Sequence, residues 1–256
     1  MFDFSSVFVD TWQMVLLFVV VFAVLATAFV VTAIIEKRHG IVRITGTREI
    51  TYGAICLASS FALSFISVFK MPFGGTITLA SVLPIAIYCY YFGLRKSLVV
   101  CFTYTLLQFV QNPYIISPWS ALLDYLLPYL ALCLTGLFSY SPKKYETSLT
   151  NGKNPIASHG GIFIGFGLYF IVRYASHILA GMLFWSQGID FMVWQGDLVG
   201  WASFSYSAVY NGLFLVPDTL IAVLCAIFIL SNKAFNTFMA KSFYAIENTN
   251  TRAKHN

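Results

Sequence analysis

Long apolar blocks alternate with short polar segments along the chain. Seven of these blocks reach or approach the length of about 20 residues that a helix needs to cross the hydrocarbon core of a bilayer. They are Trp12–Ile35, Ile50–Phe69, Ile77–Phe92, Leu98–Val110, Ala121–Phe138, Gly161–Phe184 and Phe204–Leu230. The pattern predicts an all-α fold, a polytopic bundle of transmembrane helices.

Composition agrees with this pattern. Of the 256 residues, 59% are hydrophobic and 10% are charged, whereas a soluble domain carries about 25% charged residues. Too few polar side chains are present to cover a surface in water, so the bilayer is the solvent for most of the chain. The cysteines lie inside apolar segments without metal-binding or disulfide spacing, which favours a packing role for Cys56, Cys89, Cys101, Cys133 and Cys225.

The basic residues are confined to one side of the predicted bundle. With seven spans, thirteen of the fifteen lysine and arginine residues fall in the loop 36–49, in the later loops on that side and in the C-terminal tail. Lys70 alone lies on the opposite side. Because cytoplasmic loops carry the basic excess, we expect a multi-pass protein of the cell membrane with its N-terminus outside and its C-terminus in the cytoplasm. The net charge of +5 therefore marks topology and does not indicate a nucleic-acid partner.

The same pattern divides the chain into three parts. Residues 1–49 hold the first transmembrane helix and a basic cytoplasmic loop. Residues 50–232 form a six-helix membrane domain, and residues 233–256 form a polar cytoplasmic tail. We expect the binding function to reside in the six-helix domain.

Ionisable residues inside a membrane are costly and usually functional. Arg173 and His177 lie four residues apart in the sixth span, so they share a helix face. Gly181 continues that face, and Trp185 follows it near the predicted outer end. Asp124 lies near the start of the fifth span, at the same outer side.

The last span adds further polar groups at its outer start. Tyr206 and Tyr210 are four residues apart, and Asn211 lies beside them. A carboxylate, an imidazole, an indole, phenols and an amide thus converge on the outer side. This set suits a flat, polar heterocycle, including a cationic one.

Each of these residues also has a structural interpretation. Trp185 and Tyr206 fit the belt of aromatic residues at a membrane interface. His177 fits a hydrogen-bond donor between helices. The alternatives stay open for single residues, whereas the set together favours a binding site.

Two carboxylates have alternatives of their own. Asp124 and Arg173 fit a purely structural ion pair. Asp218 follows Pro217 in the last span, and we expect it to cap backbone groups that the proline frees.

No phosphate-binding loop, HExxH, GxSxG or paired-carboxylate motif is present. The sequence therefore indicates binding without catalysis, and it indicates no metal or cofactor.

Several blocks of the sequence resemble the thiamine-specific S component, the substrate-binding subunit of energy-coupling factor (ECF) transporters. They are PFGGTIT at 72–78, LPI at 83–85, LLDY at 122–125, RYASHILAG at 173–181, FW at 184–185 and YSAVYN at 206–211. The resemblance implies a vitamin-uptake subunit with a six-helix S-component core, to which this chain adds one N-terminal transmembrane helix. It implies thiamine as the bound ligand and no enzymatic activity.

The resemblance also implies roles for individual residues. Asp124 would contact the vitamin, and His177 and Trp185 would stack on its two rings. Thiazolium is a permanent cation, so a buried carboxylate and aromatic faces would supply charge balance and cation–π attraction.

The remaining site residues follow from the same resemblance. Tyr206 and Asn211 would form hydrogen bonds with the aminopyrimidine, whose edges need fixed donors and acceptors. Tyr125 and Tyr114 would line the pocket. Arg173 would lie near the carboxylate, where the family has a basic residue.

The resemblance further implies a membrane-embedded coupling subunit and two ATPase subunits as partners. The coupling subunit would contact small residues at every fourth position of one helix, here Ala54, Ala58 and Ala62. Ordinary packing within this chain is the alternative for these alanines.

Two features depart from the family pattern. The span Trp12–Ile35 is additional, and some members place a tryptophan over the ligand where this chain has Phe73. An S component for another small heterocycle, such as a thiamine precursor, is the nearest alternative function. A membrane enzyme or assembly factor that uses Asp124, Arg173 and His177 is the alternative from another class.

Overall fold

A computed structural model describes residues 47–111, 120–140, 150–151, 155–182, 201–239 and 241, together with isolated helical positions between Leu16 and Ile34. The helices in this part of the chain are α1 Thr47–Ser64, α2 Leu83–Phe92, α3 Leu94–Gln111, α4 Ala121–Gly136, α5 Pro155–Ser158, α6 Gly160–Ala180 and α7 Trp201–Ser231. The strands are β1 Ser67–Lys70 and β2 Thr76–Thr78. Most of the predicted span Trp12–Ile35 lies outside the described residues.

The fold is predominantly helical, as the hydrophobic pattern predicts. Among the described helices, α6 and α7 are long and apolar enough to cross a membrane, while α2 and α4 are apolar but shorter. The expectation of an all-α chain is wrong in one place. Residues 65–69 and 77–78, which we assigned to the ends of two spans, belong to a segment that forms an antiparallel hairpin of β1 and β2.

The hairpin forms because its residues suit strands and a tight turn. Ser67 pairs with Thr78, and Lys70 pairs with Thr76. Both strands are rich in the β-branched and aromatic residues that favour sheets. Between them, Gly74 adopts a φ of 102°, which a residue with a side chain rarely adopts. The first predicted span, Ile50–Phe69, therefore extends past the end of α1 at Ser64. The next, Ile77–Phe92, begins before the start of α2 at Leu83.

The short helix α2 is the centre of the bundle. It packs against α1, α3, α4, α6 and α7, and its side chains are buried almost throughout. Tyr90 and Tyr91 are among the largest fully buried side chains. Cys89 and Cys101 lie in the same core at an Sγ–Sγ distance of 3.8 Å, in agreement with a packing role.

Helix α4 changes its winding along its length. Its first part, Ala121–Leu126, is π-helical, Leu127–Leu130 is α-helical, and Ala131–Gly136 is a 3₁₀ helix. Pro128 contributes to this irregularity, because it has no N–H to donate to the carbonyl group of Asp124. Asp124 thus lies in an opened turn, a conformation that is frequent at functional sites.

The helices approach one another closely where glycines replace larger residues. A Cβ atom at Gly165 of α6 would lie 2.5 Å from Cα of Thr135 in α4, which is too close for any side chain. By contrast, a Cβ atom at Gly167 would have no neighbour within 4 Å. The crossing of α4 and α6 therefore depends on Gly165.

The predicted tail begins with a packed segment. Residues 233–239 are helical, and Asn236 and Met239 are buried. Nδ2 of Asn236 donates to the carbonyl oxygen of Leu230 at 2.7 Å. The start of the predicted tail thus packs on the bundle through Asn236 and Met239, while Lys233, Ala234, Thr237 and Phe238 are exposed.

The two glycines of α6 give a matched test of this packing. We expect Gly165→Ala to destabilise the protein by about 1–3 kcal/mol, since overpacking forces the two helices apart. Gly167→Ala should be neutral or stabilising by about 0.5–1 kcal/mol, because alanine is the better helix former. Thermal unfolding of the purified protein in detergent measures both. Equal midpoints for the two variants would contradict the α4–α6 contact.

Candidate functional site

A cavity of about 380 Å³ lies between α3, α4, α6, α7 and the hairpin. Its volume is near the lower end of the range of about 300–1,000 Å³ for small-molecule sites. Six of the eight residues predicted for the site line it: Asp124, Tyr125, Arg173, His177, Tyr206 and Asn211. Tyr114 and Trp185, and the side chain of Phe73, lie outside the described residues.

An acid–base pair forms one side of the cavity. Nδ1 of His177 in α6 lies 2.9 Å from Oδ1 of Asp124 in α4, and the two side chains are 13% and 22% exposed. A carboxylate only accepts hydrogen bonds, so Nδ1 carries the proton and Nε2 of a neutral His177 is left as an acceptor. The hydroxyl group of Ser176 also donates to the carbonyl oxygen of Leu123. The opened turn of α4 is thus joined to α6 by two adjacent contacts.

Asn211 is held in one orientation by backbone groups. Its Nδ2 donates to the carbonyl oxygens of Ser207, at 2.9 Å, and His177, at 3.2 Å. The hydroxyl group of Ser207 in turn donates to the carbonyl oxygen of Ile178 at 3.0 Å. Because the amide donors are used in this way, Asn211 offers Oδ1, an acceptor, to a ligand.

The close crossing of α6 and α7 is necessary for this arrangement. A Cβ atom at Gly181 would lie 2.0 Å from Oγ of Ser207. The glycine therefore lets the hydroxyl group reach α6. The space beside Gly181 is thus occupied by α7.

Arg173 pairs with a different carboxylate from the one we considered. Its Nη1 lies 3.0 Å from Oδ2 of Asp218, and the side chains are 9% and 3% exposed. The alternative of a structural Asp124–Arg173 ion pair is therefore wrong. Nη1 of Arg173 also donates to the phenol oxygen of Tyr169 at 2.7 Å. Arg173 lies one helical turn from His177, so two acid–base pairs are stacked along α6.

The expected role of Asp218 is also wrong. Its Oδ1 accepts hydrogen bonds from the backbone N–H of Thr78 at 2.9 Å and from the hydroxyl group of Thr78 at 2.8 Å. Because Pro217 has no N–H, one carbonyl oxygen of the preceding turn lacks its hydrogen-bond donor. A carboxylate only accepts hydrogen bonds, so Asp218 cannot supply that donor. Asp218 therefore connects α7 with the hairpin.

An aromatic row on α7 faces the same cavity. Tyr206 stacks on Tyr210 at 6.0 Å between ring centroids, and Tyr210 meets Phe214 edge to face at 6.0 Å. Phe214 in turn contacts the ring of His177 at 6.0 Å. Sequence analysis missed Phe214, although its spacing of four from Tyr210 places it on the same helix face.

The two inner carboxylates of the cavity have different partners. Asp218 pairs with the permanently charged Arg173, whereas the ion-pair partner of Asp124 among the described residues is the imidazole of His177. Asp124 thus has no permanently charged partner in the part of the chain that the structure describes. Lys70 on the hairpin also lines the cavity but is exposed, so solvent screens its charge.

Comparison with known proteins identifies the family of the chain. A family model described as thiamine transporter protein matches residues 50–239. The chain belongs to the thiamine transporter protein family. The resemblance recognised in the sequence is thus confirmed, and the family is one of membrane transporters, not enzymes. The family match begins after the additional span Trp12–Ile35.

Individual relatives lead to the same family. The thiamine transporter ThiT of Bacillus subtilis is 29% identical over 180 residues, which cover 68% of this chain and 87% of the relative. The structure of ThiT from Listeria monocytogenes superimposes with a TM-score of 0.57 at 22% identity, covering 73% of this chain and 94% of that structure. At this level of identity the structural match shows a shared fold.

Proposed function

We propose that the chain captures thiamine in the cavity between α4, α6, α7 and the hairpin, as the S component of an ECF-type importer. The observation that carries the proposal is the Asp124–His177 pair, with an O–N distance of 2.9 Å, in the wall of the cavity. Membership of the thiamine transporter protein family supports the choice of ligand.

The charge of the cavity suits the thiazolium ring. Arg173 is neutralised by Asp218, so Asp124, which is bonded to the imidazole of His177, is the carboxylate that can compensate a ligand cation. A cation in a partly dehydrated site needs such a partner, because an unpaired charge is costly there. The imidazole of His177 contacts the carboxylate through its edge, at Nδ1. We propose His177 and Trp185 as the two residues that stack on the ligand.

Hydrogen-bonding groups nearby suit the aminopyrimidine ring. Oδ1 of Asn211 is an acceptor for the exocyclic amine, and the Tyr206 phenol can donate to a ring nitrogen. Tyr125 lines the cavity and stacks on Phe109 at 4.7 Å, which fixes its ring. Tyr114 is the remaining aromatic residue in the proposed pocket.

Titration with thiamine tests the proposal. We expect saturable quenching of tryptophan fluorescence in the purified protein, with the binding confirmed by calorimetry. Asp124→Asn should weaken binding by about 10–100-fold, the range expected when a charged partner is lost. Trp185→Ala should weaken it by about 5–150-fold, as stacking is worth about 1–3 kcal/mol.

Matched controls distinguish these effects from general damage. Glu49→Gln removes a carboxylate that pairs with Lys96 away from the cavity, and Trp201→Ala removes an indole that is 83% exposed. Both should leave the affinity for thiamine unchanged. Absence of thiamine binding by the wild type would refute the assignment. Tighter binding of an aminopyrimidine precursor without the thiazolium ring would support the alternative ligand.

We infer the orientation from the ends of the helices. Lys96 pairs with Glu49 at 2.7 Å, so the basic starts of α1 and α3 meet at one end of the bundle. The hairpin that lines the cavity follows the opposite end of α1. The positive-inside rule then supports a cytoplasmic C-terminus, an outer N-terminus and a cavity that faces outward.

We further propose that α1 docks on a membrane-embedded coupling subunit driven by two ATPase subunits. Ala54, Ala58 and Ala62 are all exposed, whereas Gly53 and Ser60 of the same helix are buried. The alternative role of the alanines, packing among the described residues, is therefore not supported. A stripe of small residues lets another helix approach closely.

A bulky residue in this stripe should separate capture from transport. We expect Ala58→Phe to lower thiamine uptake by cells at least about tenfold, and to prevent co-purification of the coupling and ATPase subunits, while thiamine binding is retained. Ala202→Phe, at an exposed alanine of α7, is the matched control and should leave uptake unchanged. Normal uptake by Ala58→Phe would exclude α1 as the docking helix.

A further inference from the structure

The hairpin forms one wall of the cavity and is joined to the bundle mainly through α7. Thr76, Thr78 and the Gly74–Gly75 turn line the cavity from the hairpin side. Val68 and Phe69 of β1 are more than half exposed on the other side. A two-stranded hairpin is marginally stable alone, so its position over the cavity depends on contacts with the helices.

The buried contact that holds the hairpin is made by Asp218. One carboxylate oxygen accepts both donors of Thr78, at 2.8 and 2.9 Å, while the other faces Nη1 of Arg173 at 3.0 Å. Asp218 is 2% exposed and Thr78 is 9% exposed. Because the Thr78 hydroxyl donates to Asp218, its oxygen accepts from Ser81 at 2.7 Å. The end of β2 is thus fixed to the middle of α7.

We propose that Asp218 and Arg173 are positioning residues that tether the hairpin over the bound ligand. Asp218 is the anchor, and Arg173 orients its carboxylate and compensates its charge. Arg173 thereby has a role different from the predicted one, which was a place in the binding site beside the carboxylate of Asp124. The proposal deepens the proposed function, on which its ligand-release readout rests.

The arginine makes the tether reversible. If the hairpin moves away, the two Thr78 donors exchange Asp218 for water. Asp218 remains paired with Arg173, and Arg173 remains bonded to Tyr169 at 2.7 Å, so no uncompensated charge is left buried. Without Arg173, opening would strand a carboxylate in an apolar environment. The ion pair therefore lowers the cost of opening while the threonine bonds favour the closed position.

At the opposite end of the hairpin, a second contact joins it to α7. The phenol of Tyr210 donates to the carbonyl oxygen of Pro72 next to the turn. Tyr210 is a half-buried residue of the cavity wall, whereas Asp218 is buried beneath the strand. Water competes less for the buried Thr78–Asp218 contact, so this contact contributes more to holding the hairpin than the Tyr210–Pro72 contact.

Thr78 gives the sharpest variant, because changing it leaves the Arg173–Asp218 pair intact. Thr78→Val removes the hydroxyl donor and keeps the backbone N–H, and Thr78→Ser should restore wild-type behaviour. Asp218→Asn is a second variant that removes the charge of the anchor. Thr103→Val is the matched control, since the hydroxyl group of Thr103 bonds within its own helix to the carbonyl oxygen of Val99.

Trypsin measures hairpin opening without any ligand. Lys70, exposed on β1, is the cleavage site in the hairpin, and Lys233, exposed after α7, provides an internal reference. We expect cleavage after Lys70, relative to Lys233, to be about tenfold faster in Thr78→Val and Asp218→Asn, in line with loss of a hydrogen bond to a charged group. Thr78→Ser and Thr103→Val should match the wild type. Equal ratios in all proteins would overturn the tether.

Dissociation of thiamine provides the functional readout. Thr78→Val should release thiamine about tenfold faster than the wild type, with the rate restored by Thr78→Ser. Faster cleavage with an unchanged dissociation rate would overturn the role over the ligand. Failure of the wild type to bind thiamine would refute the proposed function and leave the proteolysis result to decide the tether on its own.

Discussion

Two acid–base pairs stacked one turn apart on α6 constrain the whole site. A charge inside a membrane protein is costly unless a partner compensates it, so each pair fixes the helices that supply its members. Arg173 fixes α6 against α7 through Asp218, and His177 fixes α6 against α4 through Asp124. In the Arg173–Asp218 pair the two charges compensate each other. In the His177–Asp124 pair, Asp124 is a carboxylate that a ligand cation can use.

Backbone features place these pairs at the required distance. Gly165 and Gly181 let α6 approach α4 and α7 more closely than any residue with a side chain would. The π-helical start of α4 carries Asp124, and the hairpin reaches Asp218 through Thr78. The site thus combines a rigid floor of helices with a wall that is held by a small number of hydrogen bonds. That combination suits a protein that must hold a ligand firmly and later release it.

Sequence reasoning was most successful where periodicity and composition act locally. The bounds of α6 and α7 agree with the predicted spans to within a few residues, and the spacing of four correctly placed Arg173 and His177 on the cavity side. Residues 65–69 were assigned to a helix, because a short apolar run has the same composition in a strand and in a buried helix. The hydrogen bonds between Asp218 and Thr78 were not predictable, since Thr78 lies 140 positions earlier in the chain. The π-helical turn at Asp124 likewise depends on a change in backbone hydrogen bonding, from the α-helical to the π-helical spacing, that composition does not encode.

Asp124 has no permanently charged partner among the described residues, and we propose that its carboxylate selects a cationic ligand. Calorimetric titration with thiamine and with a neutral isostere, in which a carbon atom replaces the positively charged ring nitrogen, measures this selection directly. The wild type should bind thiamine at least about tenfold more tightly than the isostere, a difference of about 1.4 kcal/mol. In Asp124→Asn the two affinities should become nearly equal. An undiminished preference for thiamine in Asp124→Asn would contradict the role assigned to this carboxylate.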